Sequence, residues 1–195
     1  MNFLLHICCG PCTLFPFKIL QEKKFNITGF FFNPNIHPFT EFNKRVESVK
    51  SVSILKKIPI IWHPKSYGLN EWLKELDGRF TFGKRCVKCY EIRLEEAAKK
   101  ARELNFDFFS TTLLYSKYQM HETIKEIGFK KGEKYKVTFF YEDFRKGWQE
   151  GIKDSIKLGL YRQSYCGCIF SEADRYSKKI DKLKKDFIKM NGGIL

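Results

Sequence analysis

Short apolar runs alternate along the chain with longer stretches in which apolar residues recur at helical spacing. The runs have the length of buried strands, and turn-forming residues such as Asn33-Pro34-Asn35 end them. They predict strands at 3–7, 27–32, 58–62, 107–113 and 135–140. The longer stretches predict helices at 13–23, 39–57, 71–76, 86–104, 117–127 and 148–158, and a last helix that opens at Ser171.

The order of these elements indicates the fold class. Strands separated by helices are typical of an α/β protein in which helices wrap a parallel sheet. We therefore expect a Rossmann-like or HUP-like fold, in which binding sites form beyond the carboxyl ends of the strands. Cys8 and Cys9 follow the first predicted strand directly, so Cys-bearing loops are expected at this edge of the sheet.

Two predicted helices carry further packing information. Pro16 must lie in the first turn of the helix at 13–23, because a proline further along would interrupt its hydrogen bonds. In the last helix, apolar residues at helical spacing predict a buried inner face and lysines predict an outer face. The inner residues are Tyr176, Ile180, Leu183 and Phe187, and the outer ones are Lys178, Lys179, Lys182, Lys185 and Lys189.

Length and composition restrict the class of protein. A chain of 195 residues that is 43% hydrophobic can form one folded domain, predicted at 1–190, with a frayed tail at 191–195. The N-terminus has no basic region before its apolar run, and no run approaches the roughly 20 residues of a membrane span. We therefore expect a cytoplasmic protein without membrane contact. There, clustered cysteines indicate metal or redox chemistry rather than structural disulfides.

The charge of the chain points to its partner. Lys and Arg number 36 against 22 Asp and Glu, which gives a net charge of +14. This excess favours a polyanionic partner such as RNA, whose splayed-out bases can stack on aromatic side chains. A lysine-rich surface without such a partner would have the same composition, and the lysine face of the last helix fits either interpretation.

Seven cysteines stand in three tight groups and limit the chemistry most strongly. The groups are Cys8-Cys9-Gly10-Pro11-Cys12, Cys86-Val87-Lys88-Cys89 and Cys166-Gly167-Cys168. Thiols so close together can converge on one metal centre or exchange electrons as a dithiol. Free cysteines are also common in protein cores, but paired groups at three places favour chemistry over packing.

The first two groups are candidates for an iron–sulfur site. Cys86 and Cys89 lie three residues apart at a predicted helix start, where both share one face and the helix dipole favours thiolate. Cys8 and Cys9 are adjacent, but a turn directly after them would bring both to one centre. An iron–sulfur cube accepts adjacent cysteines better than zinc does, because structural zinc sites use two separated cysteine pairs.

The remaining cysteines leave alternatives open. Cys166 and Cys168 could close a strained, redox-active disulfide, or they could hold a second iron. Cys12 could join either metal site, although a buried thiol is the favoured interpretation.

Several other side chains are weaker candidates. His6 lies within an apolar strand, as a hydrogen-bonded core histidine would. His37 follows a strand end in a polar turn, where a ligand role and a structural role are equally open. Tyr115 and Tyr118 could supply protons or stack on a base. The acidic pair at 142–143 follows the next strand in the same way.

Four motifs in this order resemble a known family. They are Leu5-His6-Ile7-Cys8-Cys9-Gly10-Pro11-Cys12, Asn33-Pro34-Asn35-Ile36-His37-Pro38, Arg85-Cys86-Val87-Lys88-Cys89-Tyr90 and Tyr161-Arg162-Gln163-Ser164-Tyr165-Cys166-Gly167-Cys168. Together they are similar to QueH, the cobalamin-independent epoxyqueuosine reductases. The resemblance runs from residue 3 to about residue 176, which is nearly the whole chain.

The resemblance implies an oxidoreductase of the last step of queuosine synthesis. In that step epoxyqueuosine in a tRNA anticodon loop loses its epoxide oxygen, with electrons from a donor that the sequence does not identify. The matching positions imply a 4Fe–4S cluster bound by Cys8, Cys9, Cys86 and Cys89.

The resemblance also implies roles for the other cysteines. Cys166 and Cys168 match a pair that is treated as redox-active, in the form of a disulfide bond or as ligands. An additional mononuclear iron next to the cluster belongs to the family picture, with Cys166, Cys168 and Cys12 as the nearby candidates.

Two rival interpretations remain. The Cys8-Cys9-Gly10 segment is also similar to heterodisulfide-reductase-type proteins, which predicts an iron–sulfur enzyme that acts on a small disulfide without RNA. A non-catalytic RNA-binding module stapled by zinc is the second rival, and it predicts colourless protein with stoichiometric zinc.

Overall fold

A parallel sheet forms the centre of the structure, a computed structural model that describes residues 1–190. Its strands are β1 (Asn2–His6), β2 (Asn26–Phe31), β3 (Ile60–Trp62), β4 (Phe108–Thr111) and β5 (Thr138–Phe139). They pair in the order β3-β2-β1-β4-β5, and every pairing is parallel. The predicted α/β fold is confirmed, whereas the tail predicted at 191–195 lies outside the described residues.

Helices connect the strands and cover the sheet. They are α1 (Gly10–Glu22), α2 (Phe39–Lys56), α3 (Leu69–Leu76), α4 (Lys84–Glu103), α5 (His121–Tyr135), α6 (Trp148–Lys157) and α7 (Ile169–Met190). α1 packs against α2 and α6, whereas α4 packs against α5. Right-handed crossovers place these two groups on opposite faces of the sheet. Within residues 1–190, no helix is both long and apolar enough to cross a membrane.

The central strand β1 explains where a site can form. Phe3, Leu4 and Leu5 are fully buried because helices cover both faces of the sheet, and this is why the strand is apolar throughout. The chain leaves β1 towards β2 on one side and later returns to β4 on the other. In such a sheet the crevice at the carboxyl ends of these two neighbouring strands is the expected binding location.

The start of α1 differs from the prediction. The helix begins at Gly10 rather than at Thr13, because Pro11 lacks an N–H and fits the first turn. Pro16 therefore lies inside the helix, and the prediction that it occupies the first turn is wrong. Burial of every residue from 10 to 17 stabilises α1 despite the hydrogen bond that Pro16 removes.

The strand predicted at 107–113 ends early. β4 stops at Thr111, whose Oγ1 accepts a hydrogen bond from Leu113 N at 3.1 Å. This cap turns the chain into a short 3₁₀ helix, Thr112–Tyr115, and places Thr112 directly at the carboxyl edge of the sheet.

The helix predicted at 117–127 and the strand predicted at 135–140 also have wrong bounds. α5 begins at His121 and continues to Tyr135, which shortens the strand to the two residues of β5. Two glycines interrupt the apolar pattern of α5 and hide its length, yet they let the helix lie directly against the side chain of Phe139.

α7 does not pack as predicted. It begins at Ile169 rather than at Ser171, and among its described residues none is buried. Ile180, Leu183 and Phe187, which were expected to face inward, are 39%, 52% and 56% exposed. The amphipathic spacing predicts a helix correctly, but no other part of residues 1–190 covers its apolar face.

Candidate thiol centre at the carboxyl edge of the sheet

Three thiols meet where β1 ends, and we call Cys8, Cys9 and Cys12 the strand-turn thiols. Their sulfur atoms all lie within 4.8 Å of one another, and Cys8 Sγ is 3.8 Å from Cys9 Sγ. All three residues are buried. The chain turns from β1 into α1 here, so the adjacent cysteines converge as expected, and the first turn of α1 adds Cys12 to them.

The neighbouring strand and helix hold this turn in place. Thr112, which follows β4, accepts a hydrogen bond from Cys8 N at 3.1 Å, and its hydroxyl lies 3.3 Å from Cys8 Sγ. Gly10 lies so close to α2 that a Cβ atom would come within 2.5 Å of Ser48 O. The strand-turn thiols therefore lie at the place where the strand order reverses.

The strand-turn thiols differ in their affinity for protons. Hydrogen bonds from Cys12 and then from Cys9 hold the pKa of Cys8 well below its usual value. Burial raises the pKa of Cys9, and the hydrogen bond to Cys8 raises that of Cys12. The group thus favours one thiolate that accepts hydrogen bonds from two thiols.

Two further thiols, the helix thiols Cys86 and Cys89, lie in the first two turns of α4. Their position at a helix start agrees with the sequence, but the expected preference for thiolate is wrong. Burial raises the pKa of Cys86, and it raises the pKa of Cys89 to about 12. Desolvation outweighs the influence of the nearby Arg85 and Arg93, so these thiols are protonated unless a ligand replaces the proton.

The last two cysteines, Cys166 and Cys168, are the loop thiols. Cys168 is buried against Trp72, Leu76 and Cys89, whereas Cys166 is exposed. The charges of both loop thiols raise the pKa of Cys86 and of Cys89, so the loop thiols and the helix thiols are neighbours. All seven cysteines are free thiols in the structure.

A buried arginine lies between the strand-turn thiols and the helix thiols. Arg93 is 2% exposed, donates to Asn33 Oδ1 at 2.6 Å, and places Nη1 3.7 Å from Cys89 Sγ. Burial alone would lower the pKa of Arg93, but Cys89 and Cys8 raise it overall. Arg93 thus contacts Cys89 of the helix thiols and acts electrostatically on Cys8 of the strand-turn thiols.

A second buried arginine fixes the loop thiols. Arg45 donates to the main-chain carbonyls of Tyr165 and Cys166, each at 3.0 Å. Its Nε donates to Glu41 Oε1 at 2.7 Å, and the Tyr161 hydroxyl donates to the other oxygen of Glu41. Arg45 as a whole is 1% exposed, and its buried guanidinium thus connects the loop to α2.

Gly167 and His37 complete this attachment. Gly167 has a φ of 131°, and a Cβ atom there would lie 3.1 Å from Arg45 Nη1. His37 N donates to Gly167 O at 2.8 Å, and the Tyr165 hydroxyl donates to His37 O at 2.9 Å. His37, left open between ligand and structure, therefore supports the loop through its main chain.

Two glutamine side chains donate hydrogen bonds to sulfur. Gln163 Nε2 lies 3.1 Å from Cys9 Sγ and 3.4 Å from Cys12 Sγ. Gln119 Nε2 lies 3.3 Å from Cys166 Sγ, while its Oε1 accepts from the Tyr90 hydroxyl at 2.7 Å. The sequence reasoning missed both glutamines and both buried arginines, although Gln163 lies inside the fourth motif.

The weaker candidates have mostly structural surroundings. His6 is hydrogen bonded through both ring nitrogens, and burial lowers its pKa to about 3, which confirms a core histidine. The Tyr115 hydroxyl donates to Trp148 O at 3.0 Å, whereas Tyr118 is 82% exposed. The acidic residues at 142–143 form ion pairs with Lys146 and Arg145.

The arrangement fits a metal held by thiolates. Three converging sulfur atoms are the donors that soft metal centres prefer. Buried cations offset the negative charge of thiolates, and amide donors to sulfur are features that tune such centres. The three close thiols could therefore bind a metal.

Comparisons with known proteins agree on one family. The model of a family described as "Epoxyqueuosine reductase QueH" matches residues 3–174. A curated relative of that name from Dehalococcoides mccartyi is 35% identical over 91% of this chain and 96% of its own length. Another from Thermotoga maritima is 37% identical over 93% of this chain and 96% of its own length.

A solved structure shares the fold alone. It is described as a predicted subunit of tRNA methyltransferase from Methanocaldococcus jannaschii, and it superposes with a TM-score of 0.50 over 77% of this chain and 76% of its own. The two sequences are 11% identical, so the likeness concerns the α/β architecture.

Proposed function

The chain belongs to the epoxyqueuosine reductase QueH family, and on this premise we propose that it reduces epoxyqueuosine in a tRNA anticodon loop to queuosine. The reaction consumes two electrons and two protons, releases the epoxide oxygen as water and leaves a C=C bond. The observation that carries the proposal is the buried convergence of Cys8, Cys9 and Cys12 at the switch in strand order.

The proposed cofactor is a 4Fe–4S cluster with Cys8, Cys9, Cys86 and Cys89 as ligands. When bound, the cluster supplies electrons one at a time. Arg93 contacts Cys89 and acts electrostatically on Cys8, so its positive charge would offset the negative charge of both ligand pairs. Because burial raises the pKa of both helix thiols, binding must displace their protons. An adjacent mononuclear iron is a second proposed cofactor, with Cys12 among its candidate ligands.

The loop thiols are proposed as the redox-active pair. Oxidation of Cys166 and Cys168 to a disulfide releases two electrons and two protons, which is what removal of the epoxide oxygen requires. Arg45 fixes the loop through main-chain carbonyls, so this attachment does not occupy the sulfur atoms. A reductant of unidentified class must then restore the dithiol.

The substrate requires a surface for RNA. The net charge of +14 supports contact with phosphates of the anticodon stem-loop. We expect the binding constant to fall steeply with salt concentration, and a flat salt dependence would contradict this mode of binding.

Anaerobic purification tests the cofactor. We expect iron and sulfide in the protein and an absorption band at about 400 nm, the charge-transfer region of thiolate-bound clusters. Stoichiometric zinc without iron or colour would instead support the non-catalytic RNA-binding module.

Turnover tests the reaction and the division of roles. Reduced protein incubated with epoxyqueuosine-containing tRNA should yield queuosine by nucleoside mass spectrometry. We expect Cys86→Ala to lose the iron–sulfur spectrum, and Cys166→Ala to keep the spectrum and lose turnover. A wild-type protein with an intact, reducible cluster and no oxygen loss would overturn the function. Loss of the spectrum in Cys166→Ala would overturn the assigned roles.

A further inference from the structure

A half-open aromatic pocket lies at the same carboxyl edge of the sheet as the thiols. Phe31 and Trp62 end the neighbouring strands β2 and β3, Phe42 comes from α2, and Tyr67 comes from the loop after β3. Its volume is about 340 Å³. Pockets of small ligands span roughly 300–1,000 Å³, so this one suits a single flat ring system.

The four rings form one continuous wall. Measured between ring centroids, Phe31 lies 5.2 Å from Trp62 and 5.7 Å from Phe42. The centroid of Phe42 lies 5.1 Å from that of Tyr67. Trp62 and Tyr67 remain 41% and 39% exposed. These two residues therefore offer aromatic surface to a ligand, whereas Phe31 is buried.

We propose that this aromatic pocket binds an unpaired base of the RNA substrate, a neighbour of the modified nucleoside. The inference rests on the proposed function, in which a single-stranded anticodon loop reaches the carboxyl edge. Single-stranded bases are recognised by stacking on aromatic side chains, which needs ring faces open to solvent and cations nearby for the backbone.

A short chain of contacts connects the pocket with the loop that carries Cys166 and Cys168. The ring of Tyr67 lies 5.1 Å from the ring of His37, and the main chain of His37 is hydrogen bonded to Gly167 and Tyr165 beside the loop thiols. β3 lies two strands from β1, which is about 10 Å at the usual strand spacing. An extended single strand of RNA covers that distance within a few nucleotides.

Helix α2 lies between the aromatic pocket and the loop thiols and contributes side chains to both. Glu41 and Arg45 lie on the face towards the loop thiols, whereas Phe42 and Val46 line the pocket. Lys50, one turn further, also lines the pocket, where it pairs with Glu47 at 2.9 Å. This lining of aromatic and apolar side chains, with one paired lysine at its edge, favours a flat base over an acidic peptide or a free anion.

A fluorescent base tests the proposal directly. Anticodon stem-loops that carry 2-aminopurine on the 5′ or the 3′ side of the modified position would be titrated into anaerobically purified protein. We expect binding to quench one of the two probes, because stacking on an aromatic ring quenches 2-aminopurine. Trp62→Ala should remove that quenching and weaken binding roughly 5- to 150-fold, the range expected for one stacked base.

Phe129→Ala is the matched control. Phe129 is 48% exposed and contacts Phe139 at the opposite edge of the sheet, so it offers a similar aromatic surface away from the pocket. We expect this variant to bind and quench like the wild type. Tyr67→Leu provides a second variant in the pocket and should weaken binding as Trp62→Ala does; both replaced side chains are partly exposed, and circular dichroism checks their folding.

The outcomes separate this inference from the proposed function. If the wild type produces queuosine but Trp62→Ala and Tyr67→Leu match it in quenching, Kd and KM, the pocket inference is overturned and the function stands. If the variants turn over more slowly only when a protein reductant supplies the electrons, the pocket binds that reductant. The RNA inference is then also overturned. If the wild type quenches the probe without deoxygenating the substrate, the proposed function fails and the pocket inference stands.

Discussion

The strand-turn thiols and the loop thiols reach the same edge of the sheet by different means. Cys8, Cys9 and Cys12 are neighbours in sequence, and the junction of β1 with α1 brings their sulfur atoms together. Cys166 and Cys168 lie on an irregular loop, held to Arg45 by hydrogen bonds that join residues 120 and 121 positions apart. The first group depends on local geometry, and the second depends on a buried charge.

This difference affects both stability and chemistry. The strand-turn thiols are buried in the main core, where a rigid turn suits metal ligands. The loop exposes Cys166 while it buries Cys168, which suits a thiol that must meet a substrate or a reductant. We therefore expect the largest effects of substitution at the loop attachment.

Replacing Arg45 by Met should have the largest effect on stability. The change leaves Glu41 buried without its cation and frees the carbonyls of Tyr165 and Cys166, so the free energy of unfolding should fall by about 3–5 kcal/mol. Urea denaturation measures the loss. Lys50→Met on the same helix breaks an exposed pair with Glu47 and should cost less than about 1 kcal/mol. Equal losses in the two variants would contradict the importance of the buried attachment.

Gly167→Ala should have the next largest effect. Its positive φ strains any other residue, and the added Cβ meets the Arg45 guanidinium, so we expect a loss of about 2–3 kcal/mol. Gly159→Ala is the control, since Gly159 also has a positive φ, of 62°, but has open space where a Cβ would stand. It should cost about 1 kcal/mol. Thermal unfolding of both variants decides whether contact with Arg45 adds to the backbone strain.

Gln163→Leu tests how hydrogen bonds to the strand-turn thiols affect the midpoint potential. The amide donates to Cys9 Sγ and Cys12 Sγ, and such hydrogen bonds would stabilise the more negative, reduced form of the proposed cluster. Iron content should be unchanged, and the midpoint potential should fall by about 50 mV, equivalent to roughly 1 kcal/mol for one electron. Gln119→Leu removes the donor to Cys166 and should leave that potential unchanged. A shift in Gln119→Leu alone would place the cluster nearer the loop thiols than proposed.

The sequence predicts those parts of the fold whose pattern depends on burial. β1 is apolar throughout because both faces of the sheet are covered, so its strand is visible in the sequence. α5 is longer than its pattern suggests, because glycines stand where α5 packs on Phe139. Helical spacing in α7 predicts the helix, but spacing contains no information about what covers the apolar face.

The same limit applies to the site. Adjacent cysteines at a strand end indicate a thiol centre, because local geometry alone brings them together. Gln163 lies 154 positions from Cys9, and only the fold brings the amide to the sulfur. Arg45 stands four residues after Glu41 on one helix, a spacing that suggests an ion pair but not its burial or its contact with the loop thiols.

Leu183→Ala in α7 tests whether the loop thiols depend on the helix that follows them, and it should have the smallest effect. Because Leu183 is 52% exposed, we expect the free energy of unfolding to change by less than about 0.5 kcal/mol. Leu94→Ala is the control in α4, where the side chain is fully buried in the main core and its loss should cost about 2–5 kcal/mol. Alkylation of Cys166 should also proceed at the wild-type rate in Leu183→Ala, since Arg45 rather than α7 fixes the loop. A destabilisation close to that of Leu94→Ala would show that the apolar face of α7 is covered in solution, and the loop thiols would then depend on that contact as well as on Arg45.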